Sequence, residues 1–396
     1  MNINETEDWI MDFFTLTDIK LKNLSDVYLF IYEHPSCPKQ MIANELGISL
    51  PTVSQHLNTL LDASLIKTCG RLDSTVGRRA VAYQVEALAR IAIGIELLPH
   101  RATIVALNLY GKVIAREKIS LDFAPTDNYF ISLKDAVQNF MKANHYEEEK
   151  VLGIGLGVQG LISPDGKSFT YGEILNSTGL RLDTFANAFR FPCKLIHDAE
   201  CACYSELWEQ RDLSDAIYIS LGQHLGGAVL IDGKLQVGAT GKSGTFEHMT
   251  LVPDGLTCYC GKKGCAECYC SGHALLGSDA DDIHQELDNF FEKKAAGDAD
   301  CLTRLDHYLS DVAVLINNLH MVLETPVILG GHIASYFTDE DLDLIREKVA
   351  ARSTFDSNVT YILSGKCKKD AVAIGAAVPY IQSFTEQFAA HLTQDI

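Results

Sequence analysis

Cys258-Tyr-Cys-Gly-Lys-Lys-Gly-Cys265, read together with His248, places three cysteines and a histidine within 18 residues. Thiolate and imidazole are the ligands a tetrahedral zinc site selects. Cys258 and Cys260 can grip one ion from a single tight turn. Gly261 and Gly264 let the backbone curl back, so that Cys265 arrives as the third thiolate. His248 approaches from a separate loop. The spacing predicts a closed Cys3His zinc site, structural because no position is left open for water. Cys268 and Cys270 follow closely, so the choice of third sulfur stays open, and a group of buried free thiols is the bland alternative.

Around this loop lies a chain of 396 residues, long enough for about two or three domains. It is 47% hydrophobic and 21% charged, an ordinary soluble balance. Nothing approaches the ~18 uncharged apolar residues of a membrane helix, and the acidic start MNINETEDWIMDFF lacks the basic region of a signal peptide. Twelve cysteines without a secretion signal read as reduced thiols plus a metal site, which points to the cytoplasm. The net charge of −19 argues against a general nucleic-acid coat, although a small reading head needs only a local basic face.

Residues 1–88 carry such a head. NLSDVYLFIYE (23–33) and KQMIANEL (39–46) have apolar residues at helical spacing. Gly47-Ile48-Ser49 is a tight turn, with Ser49 as N-cap and Pro51 in the first turn of the next helix, TVSQHLNTLLDAS. Two short helices joined by such a turn form a helix-turn-helix. The polar side of the second helix, Thr52, Ser54, Gln55, His56 and Asn58, suits base edges and phosphates. A strand–turn–strand follows, and Lys67, Arg71, Arg78 and Arg79 outnumber Asp73 in it, forming a basic wing. A head this small gains affinity by binding two half-sites of double-stranded operator DNA, so a dimer is expected.

From Ile91 the texture changes to strands leading into helices, an α/β pattern with ligand groups at strand ends. VLGIGLGVQG is a glycine-rich strand. Pro192-Cys-Lys-Leu-Ile delivers His197-Asp198-Ala199 to the start of a helix. Asp198 can take a proton from a sugar hydroxyl, or it can simply favour the helix dipole. A second strand set, AIYISLG, GGAVLIDG and KLQVG, repeats the order of the first, so the body reads as lobes 89–210 and 211–396 facing a cleft. The final helix is expected to pack back on the first lobe.

The loop and its surroundings resemble the ROK family of repressors and sugar kinases. The pattern C-x-C-G-x-x-G-C-x-E is met by Cys258, Cys260, Gly261, Gly264, Cys265 and Glu267. The resemblance covers nearly the whole chain. It implies an α/β, two-lobed actin/hexokinase-like body with a structural zinc loop behind an N-terminal winged helix-turn-helix, and assembly as a homodimer or tetramer. It implies zinc ligands His248, Cys258, Cys260 and Cys265, and a sugar pocket at Gly160, Asn176, Asp198, His248 and Glu267. Several motifs depart from the pattern. The family's E-x-G-H reads Thr245-Phe-Glu247-His248, which makes Thr245 and Glu247 pocket candidates in place of the usual pair. The first phosphate loop reads Glu96-Leu-Leu-Pro-His and the second Gly222-Gln-His-Leu-Gly-Gly, so glycine or hydroxyl groups are lost from both. Phosphoryl transfer is therefore not expected, no catalytic residue is assigned, and Asp198 is at most a vestigial base.

The expected function is a transcriptional repressor of carbohydrate-utilisation genes, such as those for xylose. A sugar or sugar-phosphate effector would bind in the cleft. The alternatives are a repressor released by a protein partner and, further off, an ATP-dependent sugar kinase with an appended head.

Overall fold

A computed structural model describes residues 16–72, 80–187, 189–277, 283–355, 359–367, 369–386 and 388. The head begins with α1 (Leu16–Glu33), β1 (Cys37–Pro38), α2 (Lys39–Leu46) and α3 (Leu50–Asp62). Gly47 ends α2 in the left-handed region at φ 65°. Ser49 caps α3 by accepting from the Thr52 amide, with proline in the first turn, as the local sequence requires. The wing strands β2 (Ile66–Leu72) and β3 (Ala80–Val85) pair antiparallel, and β1 adds to β3. Val27, Ile31, Ile42, Val53, Leu57 and Leu60 form the buried centre.

The body holds two five-stranded sheets of one topology. In the first, β4 (Ile91–Leu97), β5 (Arg101–Asn108) and β6 (Val113–Ser120) form an antiparallel meander. The strands β7 (Val151–Val158) and β10 (Cys193–His197) extend β4 in parallel, giving the order β10-β7-β4-β5-β6. Between them lie α4 (Asp127–Ala143), the small ribbon β8 (Leu161–Ile162) and β9 (Phe169–Tyr171), and α5 (Leu182–Ala186). The helix α6 (Asp198–Glu209) follows β10 directly. In the second sheet β11 (Ala216–Leu221), β12 (Leu225–Ile231) and β13 (Lys234–Leu235) repeat the meander, and β14 (Val327–Gly330) and β15 (Ile362–Ser364) repeat the parallel extension. The repeat read from the sequence is thus a repeat of connectivity.

The remaining helices belong mostly to the second lobe. They are α7 (Glu267–Cys270), α8 (Gly272–Leu276), α9 (Ile283–Ala295), α10 (Ala299–His320), α11 (Gly331–Ala334) and α12 (Asp339–Ala350). The last helix, α13 (Ala371–Glu386), lies on the first sheet instead. Glycine makes this contact possible. A Cβ at Gly94 or Gly155 would stand 1.8 Å from the carbonyl oxygen of Ala373 or Ala376, so any side chain there would push the helix off the sheet.

The head is seated on the body by aromatic residues. The Tyr28 ring stacks on Phe388 at 3.8 Å, with Phe384 edge-on at 6.4 Å. Tyr32 stacks on Tyr110 and donates its hydroxyl to the Leu109 carbonyl at 2.8 Å. Such pairs add roughly 1 kcal/mol each beyond burial.

Candidate functional site

The four residues of the metal loop do converge. One donor atom from each of His248, Cys258, Cys260 and Cys265 lies within 4.8 Å of every other. A tetrahedral zinc with metal–sulfur bonds of about 2.3 Å separates two sulfurs by about 3.8 Å, and a sulfur and a nitrogen by about 3.6 Å. Here Cys260 Sγ and Cys265 Sγ are 3.8 Å apart, and Cys258 Sγ and His248 Nδ1 are 3.9 Å apart. These two spacings are those of a closed tetrahedral ion, and the four residues could hold one. Gly264, at φ 77°, approaches the Val252 carbonyl so closely that a Cβ would sit 1.7 Å from its oxygen, which is why the loop can close. Cys268 instead sends its thiol toward the Leu256 carbonyl, and Cys270 is buried; neither joins the group.

Against this centre lies a cavity of about 50 Å³ between the lobes. Its floor is Gln159 and Gly160 after β7, with Tyr171 and Glu173 from the end of β9. His197 and Asp198 come from the β10–α6 junction, His224 from the start of β12, and Glu247, His248 and Tyr259 from around the metal loop. Strand ends from both sheets thus meet at one point, as an open α/β arrangement favours. A larger chamber of about 660 Å³ adjoins it, and Glu173, Ile174, His224 and Tyr259 border both.

The hydrogen bonds show how the walls are held. Asp198 Oδ1 accepts from the Ala199 amide at 2.8 Å and lies 3.2 Å from His197 Nε2. Glu267 accepts from the Leu225 amide through Oε2 and contacts His224 Nδ1 through Oε1, both at 2.8 Å. It therefore stands behind the first cavity, fixing His224, and borders only the larger chamber. His248 turns Nδ1 to the cysteines and Nε2 toward the Tyr259 hydroxyl at 3.5 Å. Glu247 is 7% exposed, and its Oε2 is buried without a hydrogen-bond partner. Burial, only partly offset by His197, pushes its carboxyl up to about 7.

Of the pocket residues expected from sequence, Gly160, Asp198, Glu247 and His248 line the cavity. Asn176 does not: it is exposed, at φ 45° in the turn after Glu173. Thr245 donates its hydroxyl to the Lys242 carbonyl and also stands outside the wall. His224 and Tyr259 were not singled out as ligand contacts. Their signal was position, in the second glycine-rich loop and between two metal-site cysteines.

On the reading helix, Gln55 and Asn58 are exposed and Thr52 and Ser54 are half-buried. Ser54 donates to the Leu50 carbonyl and accepts from Lys39 Nζ. His56 departs from expectation. It is 6% exposed, turned into the head, with Nε2 unpartnered, because positions 53, 56, 57 and 60 share the inner stripe of α3. Arg71 pairs with Val81 in the wing ladder, and Arg78 and Arg79 lie outside the described residues.

Comparison with known proteins adds the following. The ROK family pattern matches residues 92–382, and that of the arsR family of bacterial regulatory proteins matches residues 33–68. A xylose repressor of Caldicellulosiruptor bescii is 25% identical over 82% of this chain and 86% of its own length. A xylose repressor of Bacillus subtilis is 25% identical over 95% of this chain and 99% of its own. The DNA-binding transcriptional dual regulator NagC of Escherichia coli is 25% identical over 65% of this chain and 64% of its own. Among solved structures, a ROK family transcriptional regulator described as a homologue of the E. coli MLC protein superposes with a TM-score of 0.74 at 20% identity, covering 94% of this chain and 98% of that one. A ROK family glucokinase from Streptomyces griseus superposes at 0.61 and 22% identity, covering 72% of this chain and 98% of that one.

Proposed function

The chain belongs to the ROK family, and from that premise we propose that it is a DNA-binding transcriptional repressor whose two-lobed body answers to a small carbohydrate. The observation that carries the reading is the joining of a helix-turn-helix head to a sugar-kinase-like body through packed aromatic residues. The relatives named as repressors of xylose and as NagC support control of carbohydrate-utilisation genes. The protein works in the cytoplasm as a homodimer or tetramer, so that two heads reach two half-sites of operator DNA. Gln55, Asn58, Thr52 and Ser54 read the major groove, and Arg71, Arg78 and Arg79 hold phosphates from the wing.

His248, Cys258, Cys260 and Cys265 hold zinc. A bound zinc ion supplies a cross-link between the 248 turn and the 258–265 loop, without catalysis. The pocket walls then do the sensing. A cavity of about 50 Å³ is far below the ~300 Å³ at the small end of ligand sites, so a sugar seated there must either part the lobes or extend into the adjoining chamber of about 660 Å³. A ligand that binds the parted state better shifts the population toward it and draws the heads out of operator register.

The protein is not a kinase on this reading. Glu96-Leu-Leu-Pro-His and Gly222-Gln-His lack the hydroxyl groups, and the first also the glycine, that hold phosphates. Operator binding by the zinc-loaded protein, titrated with a panel of sugars, is the deciding experiment. Release by one sugar is expected. Failure to bind DNA near its own operon would remove the repressor reading, and ATP-dependent hexose phosphorylation abolished by Asp198→Asn would restore the kinase.

A second reading, release by a partner protein, is favoured by one observation: Thr245 is turned away and Glu247 occupies the wall. A ligand at 100 times its Kd raises stability by about 2.7 kcal/mol, so a flat thermal-shift panel at millimolar sugar would favour the partner.

A further inference from the structure

We propose that the effector is a glycoside, a sugar ring joined through its glycosidic oxygen to a second ring. The first ring lies at Asp198, and the second lies in the adjoining chamber against Leu256 and Tyr259. This deepens the carbohydrate reading of the cleft and rests on it.

The two spaces differ in size and in lining. The cavity of about 50 Å³ carries the hydrogen-bonding groups Gln159, His197 and Asp198, but it is too small to enclose a ligand. The chamber of about 660 Å³ falls within the ~300–1,000 Å³ of small-molecule sites. Glu173, Ile174, His224 and Tyr259 border both, so a ligand gripped at the cavity continues into the chamber. A single ring held at Asp198 would leave most of the chamber to water.

The chamber wall is built for an apolar ring face. Leu256 and Tyr259 line it and are 59% and 48% exposed, although both sit on fixed backbone. Leu256 donates its amide to the Tyr269 hydroxyl at 2.9 Å and accepts from the Gly264 amide at 2.8 Å. A Cβ at Gly255 would stand 2.1 Å from that same hydroxyl, so glycine is what lets the turn seat. Tyr259 is held between two cysteines of the metal group. Two apolar side chains presented outward on a rigid loop lose little entropy when a ring packs on them. Ile174 faces the same chamber from the loop after β9, in the first lobe, whereas Leu256, Tyr259 and Leu276 belong to the second. The second ring therefore touches both lobes, which gives it leverage over their spacing. Among the described lining residues of either space there is no lysine or arginine, and Glu173 and Glu267 add negative charge to the chamber. A neutral ring suits that wall better than a phosphate on the first sugar would.

The test is calorimetric titration of the full-length, zinc-loaded protein. The ligands are D-xylose, D-glucose, D-galactose and D-glucose 6-phosphate, the disaccharides xylobiose, cellobiose, maltose and lactose, and the p-nitrophenyl glycosides of the same sugars. At least one disaccharide or aryl glycoside should bind tenfold or more tighter than its parent monosaccharide. The two arms then tell whether the second ring is a sugar or an aryl group. In Leu256→Ser or in Tyr259→Ala, each checked for bound zinc by metal analysis, the preference should fall below threefold. Monosaccharides binding as tightly as every glycoside, a sugar phosphate binding tightest, or a preference that survives in both variants would overturn the proposal and leave the carbohydrate reading standing. Binding of no sugar at all would overturn both, and operator binding by the same sample would show that the repressor reading survives.

Discussion

Asp198 and Trp208 stand at opposite ends of one helix, α6, about 15 Å apart along its axis. Asp198 lines the cavity. Trp208 donates its indole N–H to the Tyr110 carbonyl and carries Arg211, whose guanidinium lies 4.4 Å from the Trp208 ring and 5.9 Å from the ring of Tyr32 in α1. One rigid element thus has its first residue in the pocket, and Arg211, two residues past its end, bridges its Trp208 to Tyr32 of the head. The same helix is packed along α13, whose Phe384 lies edge-on to Tyr28 of the head.

Arg211→Ala should therefore uncouple pocket from head. We expect a stability loss of roughly 1 kcal/mol, operator affinity close to that of the parent without effector, and a drop of about fivefold in effector-induced release. Operator binding with and without effector measures it. Unchanged release would show that α6 does not carry the signal.

Removing one sulfur from the metal group should have a different signature. Cys260→Ser is expected to lose bound zinc by metal analysis and to lower the unfolding midpoint by roughly 10 °C. Effector response should fall while the head still recognises operator. A variant with no zinc and a normal effector response would contradict the role of the loop as a clamp on Glu247 and His248.

Acid stability offers a third check. Glu96, at the end of β4, has its carboxyl pushed up to about 7, first by burial and then by the nearby Asp198; Asp370 adds to this, and Arg101 and Lys118 oppose it. The folded state thus holds this proton more tightly than the unfolded chain. The stability it contributes is complete below the ordinary 4.5 and is lost as pH rises through about 7. The loss is on the order of 3 kcal/mol. Glu96→Gln should flatten the fall in stability over that window; an unaltered pH profile from denaturant titrations would refute the assignment.

On the reading helix, Asn58→Ala or Gln55→Ala should cost about 1–3 kcal/mol of operator affinity where the side chain meets a base edge. His56→Leu should leave operator affinity nearly unchanged and be neutral or slightly stabilising, since it removes a buried unpartnered nitrogen. Gel-shift titration and thermal unfolding separate the two behaviours. Loss of DNA binding in His56→Leu alone would reverse the inward assignment.

Much of this was legible because it is local. Ser49 and Pro51 announce the start of α3 within a few residues, and the spacing of Cys258, Cys260 and Cys265 confines three sulfurs to one turn-rich loop whatever the rest does. The repeated strand pattern foretold two sheets of the same connectivity. His56 was misplaced by a margin of one helical position: it borders the polar stripe in sequence, and only packing against the rest of the head decides that it turns inward.

The sequence by itself therefore determined the kind of head, the cluster of three cysteines and a histidine that could hold a metal ion, and the two-sheet body, because caps, close cysteine spacings and hydrophobic periods act over short separations. Tertiary structure alone decided that Glu267 is consumed in holding His224 and Leu225, that Thr245 leaves the pocket, and that Glu247 joins its wall with Oε2 buried and unpartnered. It alone joined Tyr28 to Phe388, 360 positions away in the chain. Such contacts depend on where long loops close, and no local pattern encodes which two distant side chains will share one buried space.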